Sequence, residues 1–284
     1  MPAPILGVVL ESLGLPLRQA LPAASRLGVQ SVQFDAVGEL APDKLGDTAR
    51  RELRTLLRGF DLQLAAIGCP LRHGLDTFDD QQPRLDRIRA AMQLAYDLGA
   101  RTATMPLPAI PIDEPTPAEG ATPAPISYLT YNAAPPKGVT LRESLLALGQ
   151  HGDRIGVTVA LEGGLDDGAT LAGYLGGFAS GSLRVAFDPA NFLLNGHEPL
   201  TSLASLRGLV DLAHARDARA ARSAAGAIEV AVGAGDVEWL GLLGSLEAIG
   251  FAGSLLVERT TGADRPGDVA AGVKFLRRYV PRGA

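Results

Sequence analysis

Disulfides are the first thing the sequence excludes. It has one cysteine, Cys69, in 284 residues, so no internal bridge forms. A reducing interior, and hence a cytoplasmic location, is the expected compartment. Read alone, Cys69 is a small buried hydrophobe. Long apolar runs are missing too: none is long enough to span a bilayer. The opening MPAPILGVVLESLG has no basic leader region and reads as a first strand rather than a signal peptide. There is no basic excess: 26 Lys and Arg stand against 31 Asp and Glu, for a net charge of −5. Neither nucleic acid nor membrane is therefore an expected partner. Histidine is limited to four residues, too few for a metal cluster built from many imidazoles, and the lone cysteine excludes a soft thiolate centre. A dinucleotide fingerprint is also absent. VGAGDVEW holds Gly233 and Gly235 but no third glycine at the required spacing, so it reads as a turn and helix cap.

What is present is material for a large core. Hydrophobic residues make up 46% of the chain and charged residues 20%, the balance of a globular protein. Short apolar runs begin at Ile5, Val29, Leu62, Arg101, Gly156, Leu183, Leu209 and Gly253. Several are nearly continuous in apolar residues, as parallel strands covered on both faces require. Amphipathic segments separate them. One carries a stripe from Leu85 through Ile88, Met92 and Ala95 to Leu98, with Pro83 in its first turn and Gly99 at its end. Another covers Leu141–Gly152, and a third opens with Asp236 as N-cap and closes on Gly250. Eight β-then-α units predict an α/β fold, a single-domain (β/α)8 barrel over residues 1–284; a doubly wound open sheet is the alternative. The proline-rich segment 109–138 follows the fourth strand and is too long for an ordinary connection. It is either a surface insert or an active-site cap that brings Tyr128, Tyr131 and Lys137 near a ligand.

In such a barrel the site lies at the C-terminal strand ends. Strands five to eight end in Glu162 (VALEGG), Asp188 (VAFDPAN), His214 (LVDLAH) and Glu258 (LLVERTTG). Each has a plain structural reading by itself. Together, three carboxylates and an imidazole on one rim call for a counter-charge, which a divalent cation such as Mn²⁺, Co²⁺, Mg²⁺ or Zn²⁺ supplies. Asp166 and Asp167 read as loop residues. His197 and His151 read as exposed, and His73 is open between a loop position and the cavity.

These strand ends, with HGDRIGVTVALEGG, HARDA and VGAGDVEWLGLLGSLEAIGFAGSLLVER, resemble the xylose isomerase-like TIM-barrel superfamily, the sugar phosphate isomerase/epimerase group. The resemblance spans nearly the whole chain. It implies that Glu162, Asp188, His214 and Glu258 hold one divalent metal, and that Glu162 and Glu258 act as acid and base. The implied activity is isomerisation or epimerisation of a sugar or polyol ketone, by α-proton abstraction through a metal-stabilised enediolate. A lyase of the inosose dehydratase type and a non-catalytic sugar-binding barrel are the alternatives. Apurinic endonuclease, which the same barrel supports, is disfavoured by the few histidines. The expected partner is a small sugar or polyol, with a homodimer as the candidate assembly. Asn191, Arg216 and Asp217 are the expected substrate-binding residues. Two of these positions bear on departures from the family pattern: Asn191 stands where many members have His, and Arg216 where Lys is usual. Arg219 and Arg222 both lie near the place of a further family arginine without matching its spacing.

Overall fold

The computed structural model describes residues 4–111, 134–220 and 226–280. Eight parallel strands close into a barrel: β1 Ile5–Val9, β2 Ser31–Asp35, β3 Gln63–Gly68, β4 Thr102–Pro106, β5 Thr158–Glu162, β6 Leu183–Phe187, β7 Val210–Ala215 and, last in the chain, a strand at Ser254–Val257. A small antiparallel hairpin, β8 Asp217–Arg219 with β9 Ile228–Val230, follows β7, so the last barrel strand is β10. Its pairing with both β1 and β7 completes the ring and excludes the open sheet. The hairpin was not foreseen from the sequence, because its strands have only three residues each and no apolar run.

The helices are α1 Leu17–Arg26, α2 Asp47–Gly59, α3 Gln81–Leu98, α4 Lys137–Ile155, α5 Gly168–Gly176, α6 Pro189–Leu194, α7 Pro199–Ser205, α8 Trp239–Ala248 and α9 Arg265–Leu276. The α3 stripe packs as expected: Leu85, Ile88, Met92, Ala95 and Leu98 are all buried, and Gly99 ends the helix in the left-handed region. Helix α8 starts differently from the sequence expectation. Glu238, not Asp236, is its N-cap and accepts from the Gly241 amide. Asp236 accepts instead from the Ala220 amide and so ties the β8 end to the following turn.

Side-chain alternation sorts the strands into two cores. One lies between sheet and helices and contains Leu6, Val8, Val32, Phe34, Leu161, Val185, Phe187 and Ala213. The other is the barrel interior: Val9, Ala66, Ala160, Ala186, Leu212 and Leu256. Two residues beyond these inner positions stand Glu11, Gly68, Glu162, Asp188, His214 and Glu258. The period of two turns Gly68 and Glu162, at the ends of β3 and β5, and His214 in β7 toward the mouth; Asp188 and Glu258 come directly after β6 and β10, and Glu11 lies in a 3-10 helix, Leu10–Leu13, after β1. The apolar plug below is made largely of small residues and blocks any path through the barrel. Cys69, at the end of β3, is 1% exposed, as a small hydrophobe should be.

Close packing of α5 on α7 depends on a glycine. A Cβ at Gly168 would overlap the Ser202 backbone carbonyl, whereas one at Gly173, on the same helix, would meet nothing within 4 Å. The same substitution should therefore act with opposite sign at the two positions. Gly168→Ala is expected to cost about 1–3 kcal/mol through overpacking. Gly173→Ala is expected to gain about 0.5–1 kcal/mol from helix propensity. Urea unfolding of the two variants checks this pair.

Candidate active site at the C-terminal mouth

Three of the four expected ligands converge. One ligand atom each from Asp188, His214 and Glu258 lies within 4.8 Å of the others. His214 Nδ1 faces Glu258 Oε2 at 3.8 Å. Glu162 adjoins this trio without joining it. Its carboxyl is still within range of the charges on His214, Glu258, Asp35 and Asp188. Of the four expected ligands, Asp188, His214 and Glu258 thus form the compact group, with the Glu162 carboxyl as its neighbour.

Local structure holds each group. Asp188 caps α6: its Oδ1 accepts from the amides of Ala190 at 2.9 Å and Asn191 at 3.2 Å, as an aspartate ahead of Pro at the first helical position should. Its Oδ2 accepts from Arg216 Nη1 at 2.6 Å. His214 is 3% exposed and its Nε2 meets Gln33 Oε1 at 3.1 Å. Burial holds the imidazole below its ordinary pKa despite the charges of Glu162 and Asp188, so the ring is neutral. Burial pushes the Glu162 carboxyl up to about 7. It pushes Glu258 to about 7 as well, against the opposing charge of Arg216 and with help from Asp188 and Glu229.

Arg216 is a fixed member of this wall. Besides Asp188, it donates from Nε to Glu229 Oε1 at 3.3 Å and from Nη2 to Thr260 Oγ1 at 3.2 Å. Asp188 and Glu229 hold its guanidinium charged far above its ordinary range despite burial. Glu229, on β9, also accepts from the backbone amides of Thr260 and Thr261, both at 3.0 Å, and pairs with Arg259 at 3.5 Å. Those donors outweigh its burial and hold its carboxyl down to about 2.

Asp217 and Asn191, both expected to meet a substrate, are engaged by the surrounding framework. Asp217 is fully buried. Its carboxylate accepts from the amides of Ala218, Gly233, Gly235 and Val237 and from Trp239 Nε1 at 2.9 Å. A Cβ on Gly235 would strike that carboxylate, which is why the turn needs glycine there. Asp217 therefore holds the Gly-x-Gly turn rather than a substrate. Asn191 donates from Nδ2 to the Gly163 carbonyl at 2.5 Å and pins the loop after β5. Asp166 and Asp167 are structural, as expected: one accepts from the Ile110 amide and the other caps α5.

The remaining polar residues divide as follows. His73 is exposed. His197 is half-buried against the Leu165 carbonyl. His151 is also half-buried, with Nδ1 against Arg154, because the helix end it occupies packs on the core rather than standing clear of it. Lys137 is 77% exposed in its side chain and pairs with Asp76, away from the trio's contacts. Arg219 donates to the Ala234 carbonyl. Tyr128, Tyr131 and Arg222 lie outside the described residues, as do residues 112–133 of the suggested 109–138 cap.

Glu11, Asp35 and Gln33 were missed by the sequence reading, although the rule that found the other four applies to them. Strands β1 and β2 also run into carboxylates at inward positions. Glu11 accepts from the Asp35 amide at 2.9 Å. Burial, with the charges of Glu11 and Glu258, pushes Asp35 up to about 7.

A profile of the family described as "Xylose isomerase-like TIM barrel" matches residues 21–279. No curated protein matches the chain. Among solved structures, a xylose isomerase domain protein from Planctomyces limnophilus superposes with a TM-score of 0.80 at 22% identity, covering 100% of both chains. The 3-keto-D-glucoside 4-epimerase of E. coli gives 0.71 at 14% identity over 97% of this chain and 99% of its own. A Mycobacterium smegmatis protein described as a xylose isomerase-like TIM barrel in complex with magnesium gives 0.69 at 15% identity, over 98% and 95%. No helix among the described residues is long and apolar enough to cross a membrane.

Replacing Asp217 separates the framework role from a substrate role. Asp217→Ala strands several buried donors and is expected to cost about 3 kcal/mol or more in urea unfolding. An effect confined to KM would contradict the framework assignment. The site also predicts how stability depends on pH. Glu162, Glu258 and Asp35 have raised folded pKa values, so their contribution is present at about pH 4.5 and is lost as pH rises through about 7. Glu229 has a depressed value, and its contribution disappears as pH falls from about 4.5 toward 2. His214, held below its ordinary 6.5, acts in the opposite sense below that pH, but the three carboxyls outnumber it, so the Tm of metal-free protein should fall between about pH 5 and 7.5. A flat or rising Tm across that interval in differential scanning calorimetry would contradict this origin of the shifts.

Proposed function

Because the chain belongs to the xylose isomerase-like TIM-barrel family, we propose that it is a divalent-metal-dependent isomerase or epimerase of a small sugar or polyol ketone. The observation that carries this reading is the convergence of Asp188, His214 and Glu258 within 4.8 Å of one another, with the carboxyl of Glu162 alongside at about 7. One imidazole nitrogen and two carboxylate oxygens form a donor set that suits Mn²⁺, Co²⁺, Mg²⁺ or Zn²⁺. Asp188 Oδ2 has a single hydrogen-bond donor and keeps a lone pair for a ligand. Asp188, His214 and Glu258 would hold the ion, with Glu162 beside it. A bound divalent cation supplies Lewis acidity toward a carbonyl oxygen and its adjacent hydroxyl.

The acid/base work belongs to the chain. A carboxyl near 7 is divided between both protonation states at neutral pH, so it can take a proton from a carbon acid and return one. Glu162 and Glu258 have this property in the metal-free protein; a bound cation would favour their ionised, proton-accepting form. They stand at the C-terminal ends of β5 and β10, with β6 and β7 between them in the ring. They therefore approach a substrate from different sides of the mouth. One removes the proton α to the carbonyl; the other delivers a proton to the opposite face or to the neighbouring carbon. Arg216 is held at three of its nitrogens by Asp188, Glu229 and Thr260, so its positive charge is fixed in place beside Asp188, where it would stabilise negative charge. The sugar epimerases among the structural relatives agree with this substrate class.

The test combines a cation titration with a panel of ketoses, ketoglycosides and ketopolyols in D₂O. Wild-type protein is expected to bind one divalent ion and to yield an isomer or epimer with deuterium at the carbon α to the carbonyl. Glu162→Gln and Glu258→Gln should each lower kcat by about 10²–10⁴-fold while leaving the circular dichroism spectrum unchanged. A product that has lost water would reassign the protein as a lyase. Saturable sugar binding with no exchange across the panel would identify a non-catalytic barrel.

A further inference from the structure

Gln33 is a long polar side chain inside the barrel wall, 3% exposed. Burial of an amide is unfavourable unless its hydrogen bonds are made. Its Nε2 donates to Thr104 Oγ1 at 3.3 Å, and its Oε1 meets His214 Nε2 at 3.1 Å. All three side chains are buried, with Thr104 at 0% and His214 at 3% exposed. They come from β2, β4 and β7 and link strands that are not neighbours in the ring. The β2–β3 register shifts between Val32 and Gln33, the kind of irregularity that re-aims a side chain.

The bond has a chemical consequence. An amide oxygen only accepts, so the proton between Gln33 and His214 sits on Nε2. A neutral imidazole has one N–H, so Nδ1 then carries the lone pair. Nδ1 is the ring atom that faces Glu258 at 3.8 Å. Were the amide reversed, Nε2 would accept, and Nδ1 would present a proton to the carboxylates. That tautomer ligates no metal. In the arrangement observed the Thr104 hydroxyl accepts from the amide nitrogen, which leaves the amide oxygen turned to His214.

We propose that Gln33, held by Thr104, is the positioning residue that selects the His214 tautomer with its lone pair on Nδ1 and so makes the ring a metal ligand. Orientation of a ligating histidine through its second nitrogen typically controls metal affinity by about 10–100-fold. The proposal rests on the metal-site reading above, and its test is built to fail separately from it.

The first measurement is the long-range ¹H–¹⁵N correlation spectrum of metal-free, ¹⁵N-labelled wild-type protein, with His214→Asn for assignment. The expected result is a protonated Nε2 and an unprotonated Nδ1 on His214; the reverse overturns the proposal without any cation being present. The second is Mn²⁺ affinity by equilibrium dialysis. Gln33→Leu should lose the tautomer preference and weaken binding about 10–100-fold. Gln33→Glu, which keeps an accepting oxygen, should restore both. Unchanged affinity in Gln33→Leu overturns the proposal. If Gln33→Leu does not fold, the wild-type tautomer and the Gln33→Glu affinity decide it. If wild-type protein binds no cation, the metal reading falls, and the tautomer spectrum alone decides the part played by Gln33.

Discussion

Asp188 and Glu258 lie close enough for one ligand to touch an oxygen of each, and Glu162 adds a third carboxyl within range of both. Such crowding in a buried mouth is unfavourable unless positive charge arrives or protons are retained. Two arginines stand nearby, but both are already matched. Arg216 bridges Asp188 and Glu229, and Arg259 bridges Glu229 and Asp268. Five carboxyls, Glu162, Asp188, Glu229, Glu258 and Asp268, thus share two guanidinium groups, and Glu162 has neither as a partner. The chain answers this in part with protons: Glu162 and Glu258 sit at about 7. A half-protonated carboxyl beside a neutral imidazole is the state from which proton transfer starts. The repulsion that makes the mouth unfavourable also makes it reactive.

The same repulsion explains why the surrounding framework is so fully bonded. Left to side-chain freedom, the three carboxyls would turn apart. Asp188 is prevented from doing so by the amides of α6 on one oxygen and by Arg216 on the other. Arg216 in turn is fixed by Glu229, whose oxygens also take the backbone and hydroxyls of Thr260 and Thr261 in the loop after β10. The inserted β8–β9 hairpin, which follows β7, thus clamps the loop that follows Glu258 on the adjacent strand. Asp217, at the start of the hairpin, gathers the turn before α8 onto the same support.

Much of this architecture could be read from the residues. Continuous apolar runs marked the buried parallel strands, and the strand ends named Glu162, Asp188, His214 and Glu258 without reference to contacts. What escaped has identifiable physical reasons. The hairpin strands are three residues long and gain their pairing from the mouth, not from an apolar pattern. Glu229 follows a stretch without periodicity, and its importance comes from Arg216 and Arg259, which lie 13 and 30 positions away in sequence. Asp217 beside His214 looked like a substrate ligand because spacing along a strand reports the face of a side chain, not what that side chain meets. The bond from the Asn191 amide to Gly163 was hidden in the sequence for the same reason. Glu11, Asp35 and Gln33 were legible by the period-of-two rule, but two of them follow short runs whose polar ends resemble ordinary strand termini.

A division of labour follows from where the bonds go. Residues whose polar atoms are all engaged, such as Asp217 and Glu229, define the shape of the mouth and have no capacity left for a ligand. Residues with one atom engaged and another open carry the chemistry. Asp188 keeps a lone pair on Oδ2, and His214 keeps Nδ1 once Nε2 is held by Gln33. In each case the engaged atom sets the direction of the open one, so the ligand geometry exists before a ligand arrives and little ordering remains to be done on binding. This is why the open ligand atoms stand at strand ends. A strand end has its backbone fixed by two neighbours and its side-chain direction fixed by the pleat. An opposed pair of near-neutral carboxyls retains its spacing only on such a support.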